Sequence, residues 1–149
     1  MRVMNNSGWA EFNVGSLLSI VPGKGCSKKE ITEHPGALEV VQSTGVNNSI
    51  TGWMSKDYCL KQGYTISEGP CLTVVGTGQG AVGYVTYHRD PVVVGNNAKL
   101  LLPNVELDEN QFLFLAAVLN ALRERFSYSD IVSIRRSSDD YSAACERVW

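Results

Sequence analysis

Three glycines, Gly78, Gly80 and Gly83, stand in G-x-G-x-x-G spacing directly after the apolar run Leu72 to Val75. This spacing can cradle a dinucleotide pyrophosphate, provided a helix starts at the last glycine and an acidic residue follows about 20 positions on. Here Tyr84 to Tyr87 and Val92 to Val94 are β-branched or aromatic, with Pro91 between them. That composition predicts strands and no helix, so the nucleotide reading fails its context. Gly23-Lys24-Gly25 lacks the Ser or Thr that must follow a P-loop lysine, and His88-Arg89-Asp90 has Gly95 where a kinase catalytic loop needs Asn. Cys26, Cys59, Cys71 and Cys145 are scattered, form no C-x-x-C and do not cluster with His34 or His88. They read as reduced thiols, with no metal site. No nucleophile with a base and no paired carboxylates stand at a recognisable spacing. The chain is expected to be no enzyme and to hold no cofactor.

Binding chemistry is better represented. Gln42, Asn47, Asn48, Gln79, Asn96 and Asn97 carry the amides that pair with adenine edges. Arg89 suits guanine, and Ser43, Thr44 and Thr77 can hydrogen-bond to bases or phosphates. Lys24, Lys28 and Lys29 share one glycine-flanked segment and suit phosphate. Each of these has a plainer reading too, since amides in glycine-rich loops often satisfy their own turns and surface lysines are commonly just solvated.

The 149 residues fit one domain, large enough to bury a core without disulfides or metals. No apolar run approaches the length of a membrane span or a signal peptide, so a cytoplasmic protein is expected, away from membranes. A formal net charge of −2 and a pI near 5.7 differ from the strongly basic footprint of a stand-alone nucleic-acid binder, a domain pI above about 9. Any DNA contact must therefore come from local basic patches, with a partner adding to the attraction.

The elements that must position these groups are mostly short. Residues Phe12 to Ile20 form an apolar entry element ended by Val21-Pro22-Gly23, and GKGCSKKEITEHPG reads as a polar loop. Leu38 to Val41 is a strand, followed by a turn-rich stretch VNNSITGW. Further strands fall at Tyr64 to Ile66, Leu72 to Val75, Gly83 to Tyr87, Val92 to Val94 and Lys99 to Leu102. Asp108 and Gln111 make a capping box for a helix whose face is Phe112, Leu115, Ala116, Leu119 and Leu122. A short terminal helix capped by Ser138 would use Tyr141, Ala144, Cys145 and Val148. Seven or so short strands with frequent turns predict small twisted sheets or a roll and not βαβ units.

The order Trp9-Ala10-Glu11-Phe12-Asn13-Val14-Gly15, Gly23-Lys24-Gly25, Val40-Val41-Gln42-Ser43 and Asn47-Asn48-Ser49-Ile50 resembles the target recognition domains of type I restriction-modification specificity subunits and their type IIG and IIB relatives. The segment from Leu72 through Gly83, then Pro91-Val92-Val93-Val94-Gly95-Asn96-Asn97, Leu100-Leu101-Leu102-Pro103, the helix Asn110 to Leu122 and Arg125-Phe126-Ser127-Tyr128 is similar to the same domain's glycine signature, next strand and helix. The likeness spans residues 9 to about 136 of a single domain covering 1–149, and the tail 137–149 does not align. It implies an α+β fold whose short strands coil into a twisted, β-helix-like roll with C-terminal helices. It also implies a non-catalytic domain that binds double-stranded DNA, reads part of a split target and directs a methyltransferase and restriction complex. By carry-over, Gly76, Gly78, Gly80 and Gly83 shape the sheet. Lys24, Lys28, Lys29, Gln42, Ser43, Thr44, Asn47, Asn48 and Gln79 are the expected DNA contacts, with Tyr87, His88 and Arg89 beyond the glycine crossing. A DNA methyltransferase subunit is the implied partner, and a homodimer is open. The rival reading is a protein-interaction module of the same fold, a regulator or truncated competitor of a specificity subunit with no DNA readout of its own.

Overall fold

Every residue from Cys71 to Val75 is buried, which a strand requires when both its faces are covered. The computed structural model shows how. It describes residues 3–4, 9–10, 14–44, 46–77 and 81–123. In chain order these give β1 (Val3–Met4), β2 (Trp9–Ala10), α1 (Val14–Leu17), β3 (Leu18–Pro22), α2 (Lys28–Glu33), β4 (Leu38–Val41), β5 (Ile50–Met54), α3 (Lys56–Gln62), β6 (Thr65–Ser67), β7 (Cys71–Val75), β8 (Val85–His88), β9 (Val92–Val94), β10 (Ala98–Pro103) and α4 (Glu109–Arg123).

The fold is α+β. One antiparallel sheet runs β3-β10-β7-β8 and a second, mixed sheet runs β5-β4-β9-β6, with β4 and β9 parallel. The strands β1 and β2 form a separate pair. Alternation along each strand divides the apolar residues between layers. Leu72, Val74 and Leu101 face α4 and meet Phe112, Ala116 and Leu119. Cys71, Ala98 and Leu100 face the second sheet and meet Val41, Val92 and Val94. On that sheet's outer side Leu38, Val40 and Val93 pack with Cys26, Met54 and Cys59. The predicted roll is thus two stacked sheets with helices outside both.

The α4 capping box forms as its sequence dictates: the Asp108 N–H donates to Gln111 Oε1 at 2.8 Å and the Gln111 N–H to Asp108 Oδ1 at 2.9 Å. The helix runs one residue further than expected at each end. Three expectations change. The polar loop contains α2, because Ser27 accepts from the Glu30 N–H while the Glu30 carboxylate accepts from the Ser27 N–H, a second capping box. The turn-rich stretch after Val46 is a turn only as far as Ser49 and then becomes β5. The entry element holds the edge strand β3. The short helix α3, capped by Ser55, was not expected at all. The proposed terminal helix lies outside the described residues, as do Cys145, Gly78 and Gly80.

Helix α4 is fixed to the edge of the first sheet by one side chain. Asn120 Oδ1 accepts the Val85 N–H at 2.7 Å and Asn120 Nδ2 donates to the Val85 carbonyl at 2.8 Å. The amide thus pairs with one residue of the edge strand as a neighbouring strand would. Replacing Asn120→Ala leaves both Val85 groups without this partner and should lower unfolding stability by about 2 kcal/mol in urea titrations. A loss under about 0.5 kcal/mol, the size of an ordinary surface change, would show that α4 is held by its apolar face alone.

Candidate nucleic-acid interface

Four strands, β3, β4, β7 and β9, deliver their C-terminal ends to the same end of the molecule, where backbone hydrogen bonds tie the following loops together. The Gly23 N–H donates to the Ala98 carbonyl at 3.0 Å, and the Lys24 N–H to that of Val94 at 2.9 Å. The Gly95 N–H donates to the Val41 carbonyl at 2.9 Å, and the Gly76 N–H to that of Asn97 at 2.8 Å. Asn96 grips Gly25 from both sides: its Oδ1 accepts the Gly25 N–H at 2.8 Å, and its own N–H donates to the Gly25 carbonyl. Close packing explains two of the glycines. A Cβ at position 23 would collide with the Gly95 carbonyl, and one at Gly25, where φ is +71°, would enter the Tyr64 ring. By contrast, a Cβ on Gly76 would make only ordinary contact, at 3.4 Å from the Asn97 carbonyl. The closest crossing in this region is therefore at Gly23.

The lysine segment and the segment after Val41 lie together at this end, joined by a hydrogen bond from Gln42 Nε2 to the Cys26 carbonyl. Lys24, Lys28 and Lys29 are exposed. Lys29 also forms an ion pair with Glu33 at 3.7 Å. Asn47 and Asn48 are exposed on a 3-10-type turn at the tip of the β4–β5 hairpin. Two further expected contacts, Gln42 and Thr44, have structural partners. Gln42 is half-buried and spans between the lysine loop and Gly95. The Thr44 hydroxyl bonds the backbone of Val46, and Ser43 is half-buried. Gln79 lies outside the described residues.

Tyr87 and Arg89 are not brought to this end. Tyr87 packs against the α4 core with its ring 5.4 Å from that of Phe112. Exposed Arg89 follows β8, whose last residue His88 pairs with Cys71 at the start of β7, at the far end of the sheet. His88 is buried and bonded to the Thr73 hydroxyl at 2.8 Å. No helix starts at Gly83: residues 81–83 form a turn into β8. This removes the nucleotide-binding reading, since there is no helix dipole for a pyrophosphate.

Beneath the lysines, Glu30 is a hub. Its carboxylate accepts from the hydroxyls of Tyr64 and of Tyr58, the latter at 3.0 Å, and from the Ser27 N–H. The Tyr64 bond, then those to Ser27, hold its carboxyl down at about 2. Tyr58 also stacks on His34, ring centroids 3.7 Å apart. The Glu30 carboxylate is thereby turned inward onto the two tyrosines, while the exposed Glu33 pairs with Lys29. Burial, then the nearby Cys59, pushes the Cys26 thiol up to about 12, so it stays protonated and unreactive. Among the described residues no group of three or more His, Cys, Asp or Glu could hold a metal, and no helix is long and apolar enough to cross a membrane.

The structure is thus a two-sheet α+β scaffold with polar loops tied together at one end. Residues 6–136 match the family described as the type I restriction modification DNA specificity domain, and the chain belongs to that family. Its members are specificity domains, which recognise a target and are not catalysts. The fold is shared with the S subunit of the type I restriction-modification system from M. genitalium, at 19% identity and TM-score 0.58 over 89% of this chain and 30% of that one. It is also shared with the HsdS subunit from Thermoanaerobacter tengcongensis, at 13% identity and TM-score 0.56 over 98% of this chain and 41% of that one. The chain therefore spans well under half the length of these solved relatives. No curated protein matches it.

Two of the described groups make stability depend on pH on the acid side. Burial lowers the His88 imidazole from the ordinary 6.5 to about 4, so between those values the unfolded chain binds a proton that the folded chain does not. Stability should fall as pH drops through that window, by on the order of 3 kcal/mol. Glu30, lowered from 4.5 to about 2, adds a second and smaller loss as pH drops through that lower range, its half-exposed position screening the effect. Urea midpoints followed against pH should show both stages. His88→Gln should abolish the upper stage and Glu30→Gln the lower; an unaltered profile in either variant would detach that residue from the linkage.

Proposed function

We propose that this chain is a single DNA target-recognition domain. It binds double-stranded DNA through its loop end, reads part of a restriction-modification site, and directs a methyltransferase and restriction complex to that site in the cytoplasm. The observation that carries this reading is the juxtaposition of the exposed Lys24 and Lys28 with the asparagine turn at 47–48, tied through Gln42 to the lysine loop. Lysines there meet phosphates and fix the register on the duplex, while the amides meet base edges. Tyr87 and Arg89 have no part in this face. The formal net charge of −2 favours the rival, an interaction module without DNA readout, because a partner would then supply what the chain's own charge does not.

Neutralising Lys24, Lys28 and Lys29 together to Ala separates the two. A DNA reader should lose duplex affinity, and the slope of log affinity against log salt should shrink by about two to three, one for each phosphate no longer neutralised. An interaction module would be indifferent. If anisotropy titrations of the unaltered chain detect no duplex binding at low salt, with or without a methyltransferase subunit, the DNA reading falls.

A further inference from the structure

The tip of the β4–β5 hairpin is built to hold one apolar side chain outward. Val46 is 70% exposed, the most exposed of the large hydrophobic residues described. Its backbone is fully engaged: its N–H donates to Thr44 Oγ1 at 3.0 Å, and its carbonyl accepts from the Thr44 hydroxyl at 2.9 Å and from the Ser49 N–H at 2.9 Å. The next three residues, Asn47, Asn48 and Ser49, all have positive φ, at 50°, 54° and 60°. None is glycine, so each carries a conformational cost of about 1–2 kcal/mol. The surroundings impose this shape. Ser49 is buried, and its carbonyl accepts the Gln42 N–H at 2.9 Å. A strained turn whose backbone is bonded on both sides of an exposed valine gains little for the core from that side chain, since most of it stays in solvent.

We propose that Val46 is a base-reading side chain which recognises the 5-methyl group of a thymine in the major groove, beside the amides of Asn47 and Asn48. This rests on the DNA-recognition reading given above. The argument is one of chemistry. In the major groove the base edges offer hydrogen-bond donors, acceptors and one apolar group, the thymine methyl. A valine held outward next to asparagines on a face that meets a duplex has that group as its match. The bonds that hold the Val46 backbone are made within the chain itself, so less entropy is lost when this side chain enters the groove.

The test uses the full chain and a randomised duplex pool, from which bound sequences are recovered. The recovered duplex is then the probe, with each thymine replaced in turn by deoxyuridine, which removes only the methyl. At one position this replacement should weaken binding by the unaltered chain about fourfold, the effect of withdrawing one buried methyl from contact. Val46→Ala should bind the thymine and uracil duplexes equally at that position while melting at the same temperature as the unaltered chain. The Lys24, Lys28, Lys29 triple variant should weaken on both duplexes alike and keep the thymine preference. If Val46→Ala keeps the thymine preference, or if no thymine in the recovered sequence is sensitive to the replacement, the assignment of Val46 is overturned and DNA recognition stands. If the unaltered chain recovers no sequence because it binds no duplex, the DNA reading fails and this assignment with it.

Discussion

The backbone crossing of Gly23 over Gly95 is the contact on which the recognition end depends. The Gly95 carbonyl occupies the place where residue 23 would carry its first side-chain carbon, and the Ala98 carbonyl stands close behind it. Only at that separation can the Gly23 and Lys24 N–H groups reach the carbonyls of Ala98 and Val94. These bonds draw the chain leaving an edge strand of the first sheet onto the ends of β9 and β10, across the seam between the two sheets. Gly25, Cys26 and the start of α2 follow from there. Buried N–H groups need partners, so a displaced loop would lose its position and also leave polar groups unpaired.

Around this crossing the layers are ordinary in their physics. Strands covered on both faces are apolar throughout or nearly so, as β9 and β7 are, and alternation sends their side chains to one layer or the other. Polar residues inside the sandwich occur where they find partners, as with Thr73 and His88 bonded to each other. Two buried hydroxyls, of Ser49 and Thr86, have no protein partner among the described residues. They sit where the strained hairpin tip meets the edge strand β8.

Much of this was legible in the sequence, for identifiable reasons. The strands at 38–41, 72–75 and 92–94 and the helix from Asp108 stand out because local preference and burial agree along them. Helix α2 was missed although Ser27 and Glu30 spelled a capping box, since its six residues bury no side chain and so show no apolar period. Strand β5 was missed because a turn and a strand share the same Asn, Ser and Thr-rich stretch. The meeting of the 24–29 and 42–48 segments was foreseen through likeness to a family. Nothing in spacing alone reveals it, since the bonds join residues far apart in the chain. Sequence also could not tell free amides from engaged ones: Gln42 and Asn96 commit theirs to the scaffold, and Asn47 and Asn48 hold theirs exposed at the tip. Of the glycines expected to shape the sheet, Gly83 turns the chain into β8 at φ +80° and Gly78 and Gly80 lie outside the described residues, while the close approach at Gly23 was not foreseen.

The hairpin tip is rooted in the scaffold at two places, the bonds of Gln42 and the burial of Ser49, while its other side chains stand mostly clear of the core. Val46 can therefore change identity without disturbing the layers below, since the Thr44 hydroxyl and not the Val46 side chain holds the turn. A scaffold with this property can drift from one preferred target to another while its thermal resilience stays the same. Selection on what is recognised and selection on remaining folded then act on separate sets of positions.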